Sequence, residues 1–146
     1  MPAGKRPKGR VPEHARGKQA VATPAGTKND RLSWRLAGID LGGPWSWRKT
    51  TAAELAMLHA KIRDFETMTA DEVFGPNRGN KHIPVGNLAA QARDRLENLG
   101  LDDLDDLYEL RLGGRTRLWG FRQSNVIHVL WWDPDHTVCP APLRHT

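Results

Sequence analysis

Apolar positions along the chain change period several times, and each change marks an element. Residues 32–40 alternate, with Leu32, Trp34 and Leu36 on one side, which predicts a strand closed by Gly42-Gly43-Pro44. The period then lengthens. Thr51-Ala-Ala-Glu54 has the form of a capping box, in which Thr and Glu each satisfy a free backbone donor. Leu55, Leu58, Ile62 and Phe65 follow at helical spacing. Thr69-Ala-Asp-Glu72 is a second box, opening a short helix that stops at Gly75-Pro76. Gly75 to Asn80 reads as a polar loop, within a connection over 75–86. Asn87 is placed to cap a third helix, with Leu88, Ala92, Leu96 and Leu99 inward and Gly100 ending it. Asp102 to Asp106 is an acidic turn or short helix.

The last third alternates at period two. Strands are predicted at about 107–112, 116–123 and 126–133, joined by Gly113-Gly114 and Ser124-Asn125, short enough for hairpins. A strand, two to three helices and a three-stranded antiparallel meander give an α+β domain, with the helices packed on one face of the sheet.

Charge divides the chain. The 146 residues carry 22 Lys and Arg against 17 Asp and Glu, a net charge of +5. All of that excess lies in residues 1–30, which also lack aromatics and are rich in Pro, Gly and Ala. Such a segment buries too little apolar surface to offset its ordering entropy, so 1–30 is expected to be a disordered basic tail and 31–146 a single domain. The tail is either an arm contacting nucleic acid or, on the plainer reading, a solubilising extension or a mis-assigned start. No run approaches the roughly 18 apolar residues of a membrane span, and no secretory signal is visible. With Cys139 the lone cysteine, a cytoplasmic location and no membrane contact are expected.

Candidate chemistry concentrates in the meander. Alternation puts Glu109 with Arg111, and Arg117 with Trp119 and Phe121, while Arg122 points the other way. Arginine binds phosphate bidentately and stacks on flat rings, so one reading is a phosphate clamp beside aromatic platforms such as Trp119. The plainer reading is cross-strand pairing of Arg111 or Arg117 with Glu109 on a solvated face. Trp131 and Trp132, being adjacent, point to opposite faces, so one covers the sheet's far side or stands exposed as an anchor. Lys81 and His82 follow the polar loop and supply a phosphate contact, a proton-transfer group or mere surface. His128, His136, Cys139 and His145, with Asp133, have zinc-compatible chemistry, but their spacing matches no standard finger. No metal and no cofactor are expected. No Walker loop, dinucleotide fingerprint, nucleophile elbow or EF-hand loop is present.

The element order resembles the RelE/ParE-type toxins of bacterial toxin–antitoxin pairs. The likeness is carried by Tyr108-Glu-Leu-Arg111-Leu and Thr116-Arg117-Leu118-Trp-Gly-Phe-Arg122, with a final apolar strand and His136 beyond it. It covers about 32–140 in element order and 108–136 in local pattern. The resemblance implies a metal-independent endoribonuclease that cuts messenger RNA on the ribosome and so inhibits translation, with an antitoxin protein as partner. It implies Arg117 and Arg111 at the scissile phosphate and His136 as proton donor; Lys81, His82, Trp119 and Arg122 are the further substrate-contact candidates that the residues themselves offer. Two positions depart from the pattern: Glu109 stands where lysine is common, and no tyrosine follows His136, Tyr108 being the only one in the chain. The alternative is a binding module of the same fold without catalysis, its partner gyrase, an antitoxin or nucleic acid. A third reading is a sheet that is structural only.

Overall fold

The computed structural model describes residues 30–140, so the basic tail (apart from Asp30) and His145 lie outside the described residues. Its strands are β1 (Ser33–Arg35), β2 (Lys81–Pro84), β3 (Asp106–Gly113), β4 (Thr116–Gln123) and β5 (Val126–Asp133). Its helices are α1 (Ala52–Phe65), α2 (Ala70–Val73) and α3 (Ala90–Asn98), with 3-10 turns at Trp47–Lys49 and Val85–Asn87. Among the described residues no helix is long and apolar enough to cross a membrane.

The strands form one mixed sheet in the order β1-β5-β4-β3-β2. β1 runs parallel to β5, and the other neighbours are antiparallel. The meander matches the sequence expectation to within a residue. Its turns need left-handed backbone: Gly114 has φ 51° and Ser124 φ 56°. Both capping boxes are closed, Thr51 with Glu54 and Thr69 with Glu72. Gly100, φ 75°, terminates α3.

Four expectations are corrected. β1 is three residues, not nine, because the chain leaves the sheet at Leu36 and turns, so that Asp40 N–H donates to the Leu130 carbonyl. Part of the expected loop 75–86 is strand β2, an edge strand that tolerates Pro84 at its end. Asn87 does not cap α3. It closes a 3-10 turn, and α3 starts from Ala89, whose N–H donates to the Val138 carbonyl.

The fourth correction concerns the layers: helices cover both faces. Phe65 of α1 and Ala70 and Val73 of α2 pack with Leu110, Leu118, Ile127 and Trp132 on one face. Ala92 and Leu96 of α3 pack with Leu107, Trp119 and Trp131 on the other, together with Trp45 and Val138. Trp131 and Trp132 do point opposite ways, yet both are buried, so neither is an exposed anchor.

A bulge lets β5 serve both cores. Trp119 faces Trp131 while Gly120 faces Val129, which makes Leu130 the extra residue. The freed Leu130 carbonyl accepts from Asp40 N–H at 2.9 Å and from the Trp47 indole at 3.1 Å. A side chain at Gly120 would collide with the His128 carbonyl. Asp40 ties this loop to α3, accepting from Arg95 at 2.8 and 2.9 Å and from the Trp131 indole at 2.9 Å.

Candidate functional site

Strand register assembles a polar cluster on the face that carries α3. β3 presents Glu109 and Arg111 on this face. β2 sets Lys81 beside Glu109, and β4 sets Arg117 beside Arg111. The fifth residue of interest comes from beyond β5. There the chain turns back through His136, which holds a left-handed φ of 60°. The turn brings His136 Nε2 to 2.9 Å from Glu109 Oε2, and Arg117 Nε lies 3.6 Å from the same oxygen. The Glu109 side chain is only 2% exposed, that of Arg117 10% and that of His136 17%.

Asp133 fixes that turn. Its Oδ1 accepts from Thr137 N–H at 2.9 Å and from the Thr137 hydroxyl at 3.3 Å. Its Oδ2 accepts from Val138 N–H at 3.1 Å and from the Trp119 indole at 3.0 Å. Thr137 Oγ1 in turn accepts from the Trp45 indole at 2.8 Å. A fully buried carboxylate with four donors leaves the segment around His136 little conformational freedom.

The electrostatics follow from burial. Desolvation pushes the Arg117 guanidinium below its ordinary range. Glu109 and Asp133 oppose that shift, and the nearby Arg111 adds to it. Arg117 Nη1 is held by the carbonyls of Gly114 and Thr116 at 2.8 and 3.1 Å, so the guanidinium is anchored rather than free to swing. The Arg111 side chain is less constrained. Its backbone N–H donates to Asn80 Oδ1 at 2.7 Å, and its side chain lies along Gly79, where a Cβ would come within 3.0 Å of Arg111 Cδ. Burial, then the Glu109 charge, pushes the Cys139 thiol up, opposed by Lys81. The thiol therefore stays protonated at neutral pH beside the cluster.

Arg111, Arg117, His136 and Lys81 thus share one face with Glu109. The other sequence candidates do not. Trp119 is 0% exposed, so it belongs to the core and is no stacking platform. His82 and Arg122 lie on the opposite face with Tyr108, the neighbour of His82 across β2 and β3. The plain alternative, pairing of Arg117 with Glu109, is present, though in a buried setting and not on a solvated face. His128 stacks on Phe121 at 4.6 Å and meets Gln123, away from Cys139, whose thiol donates to the Asn87 carbonyl. Among the described residues no three His, Cys, Asp or Glu side chains gather as metal ligands would.

Glu109 is the residue that sequence reasoning underrated. Its alternation with Arg111 was a usable signal for its face. Nothing local in the sequence signals its contact with His136, which depends on the turn Asp133 holds. The arrangement joins an imidazole–carboxylate pair to three further cations, a set suited to binding an anion and moving a proton beside it. No protein-family model matches the chain, and no curated protein or solved structure is significantly similar to it.

Proposed function

We propose that this chain is a RelE-like, toxin-type protein that acts on RNA as a metal-independent endoribonuclease. The observation that carries the reading is the meeting of His136 and Arg117 on one buried Glu109 oxygen, with Arg111 and Lys81 at the rim. Arg111 and Arg117 hold the scissile phosphate and stabilise the charge that grows on it. The ribose 2′-oxygen attacks phosphorus as the bond to the 5′-oxygen breaks, and its proton passes to water. His136, held through Nε2 by Glu109, protonates the departing 5′-oxygen from Nδ1. The products are a 2′,3′-cyclic phosphate and a 5′-hydroxyl. The order of strand, helices and meander supports the same reading.

Induced expression of the full chain tests it. Translation stops, new 5′-hydroxyl ends appear in messenger RNA, and Arg117→Ala relieves both. Undiminished translation during strong expression overturns the proposal.

One observation favours a second reading, a binding module without catalysis. Glu109 offsets the charge of Arg117 and is also engaged by His136, and Tyr108, the sole tyrosine, faces away from them. Salt-sensitive RNA binding without cleavage products, or capture of gyrase or an antitoxin, distinguishes this reading.

A further inference from the structure

The first two residues of edge strand β2 point to opposite faces of the sheet: Lys81 stands beside Glu109, and the next residue, His82, beside Tyr108. Around Tyr108 the second face carries a small aromatic patch. Phe74 meets the Tyr108 ring edge-on, with centroids 4.9 Å apart at 71°. The His82 ring lies 5.6 Å from Tyr108 at 36°. The Arg122 guanidinium carbon sits 5.8 Å from the centroids of both Phe74 and Tyr108. On β4 the neighbour of Tyr108 is Gly120, so no side chain from that position covers the ring.

Part of this patch is held and part is open. Arg122 Nε donates to the Ser124 carbonyl at 2.6 Å, and Nη2 lies 3.8 Å from Asp71. Arg122 Nη1 and the Tyr108 hydroxyl make no hydrogen bond among the described residues. A tether between α2 and the sheet would account for Phe74 and Arg122. It leaves His82 unexplained, an exposed imidazole whose ring contact is with Tyr108.

We propose that this patch stacks a base of single-stranded RNA several nucleotides along from the phosphate held at the Arg111–Arg117 site, the strand crossing over β2. The proposal rests on the RNA reading given above. Flat rings accept any base face, and a guanidinium beside them adds cation–π attraction and a donor for the base edge. Lys81 lies on the path between the two faces, where the backbone phosphate would pass. That continuity favours an RNA strand over a protein segment, which would have no need of the Glu109 face.

The test is abasic scanning. A fully 2′-O-methylated octanucleotide, which cannot undergo internal attack, is titrated into the full chain with one base deleted at each position in turn. One position loses about tenfold in affinity, the size expected for a lost base–aromatic stack. His82→Ala, an exposed substitution that leaves the fold intact, loses a similar factor with the unmodified oligonucleotide and renders that position silent. Tyr108→Leu repeats the result. Losses that multiply, or wild-type affinity in His82→Ala, overturn the patch. Ordinary RNA is assayed for cleavage in parallel. Cleavage without a silent position sinks the patch alone, and a silent position without cleavage sinks the ribonuclease chemistry alone. An oligonucleotide that never binds sinks both and leaves a protein as the partner.

Discussion

Glu109 and His136 meet at 2.9 Å although one lies in the middle of a central strand and the other in the turn beyond the last strand. Arg117 approaches the same carboxylate oxygen, so three ionisable groups converge on one buried point. Removing the middle member separates the site's two properties. Glu109→Gln keeps the shape and removes the charge, so phosphate-containing ligands bind more tightly while cleavage falls. Isothermal titration with the 2′-O-methyl oligonucleotide, beside a cleavage assay, reads both. Glu109→Leu leaves Arg117 without its partner in a buried setting and lowers stability by about 3 kcal/mol. Asp133 lies close enough to Arg117 to act on its charge and limits that loss. Urea midpoints of the two variants give the comparison.

Asp133 is expected to matter through the turn and not through contact with a ligand. Asp133→Asn sets an amide donor against donors on at least one side, since each of its carboxylate oxygens accepts from two groups. The mispairing costs about 2 kcal/mol, and His136 loses its fixed place over Glu109. Thr137→Val removes only the hydroxyl contacts and should cost about half as much by the same reasoning. Thermal denaturation together with RNA cleavage at saturating protein checks the pair. Equal loss of activity in both variants would argue against a positioning role.

Acid should weaken the loop that carries Trp45 and Trp47. Burial alone would raise the Asp40 carboxyl. Hydrogen bonds from Arg95, Gly42 and Trp131, with the Arg95 charge, outweigh it and hold the group below its ordinary value of 3.8. A depressed folded-state pKa means stability that is present above the unfolded value and lost as pH falls through the folded one. Asp40→Asn therefore lowers the melting temperature at neutral pH and flattens the acid limb below about pH 4. Melting curves from pH 2 to 7 on both proteins show whether the two limbs converge at low pH.

Gly120 should tolerate nothing larger. Gly120→Ala drives a methyl group into the His128 carbonyl opposite, a backbone atom that cannot move without opening the β4–β5 pairing. Over-packing of this kind costs about 1–3 kcal/mol where side chains can adjust, and here the upper end applies. Soluble yield and urea midpoint measure it, and unchanged values would show that the bulge can shift.

The meander was legible because its alternation is clean and both turns are two residues long, so strand bounds followed from counting, whereas the register shifts at Arg111/Gly113 and Trp119/Gly120 did not. β2 escaped notice because four residues ending in proline carry almost no periodic signal. Its strand character comes from pairing with β3. Asn87 has the right side chain for a cap, but the backbone spends that position on a 3-10 turn closed from Val85. Helical spacing showed which sides of α1 and α3 are apolar and said nothing of which side of the sheet each would cover. Arg111, Arg117 and His136 were readable as a group only through a resemblance. Glu109, which that resemblance marked as a departure, is what Arg117 and His136 share, and Arg111 joins them through the β3–β4 register.

The parallel pairing of Ser33 with Val126 has a consequence for how the molecule is made. On a ribosome, β1 and α1 emerge long before β5, the strand between β1 and the rest of the sheet. Until β5 arrives, Leu32, Phe65 and their neighbours lack Ile127, Val129 and Trp132, and neither core is complete. Folding by such distant contacts is slow compared with closure of the hairpins themselves. The nascent chain therefore carries an exposed apolar helix face until β5 is made, and it acquires the Glu109–His136 contact only with the turn after β5.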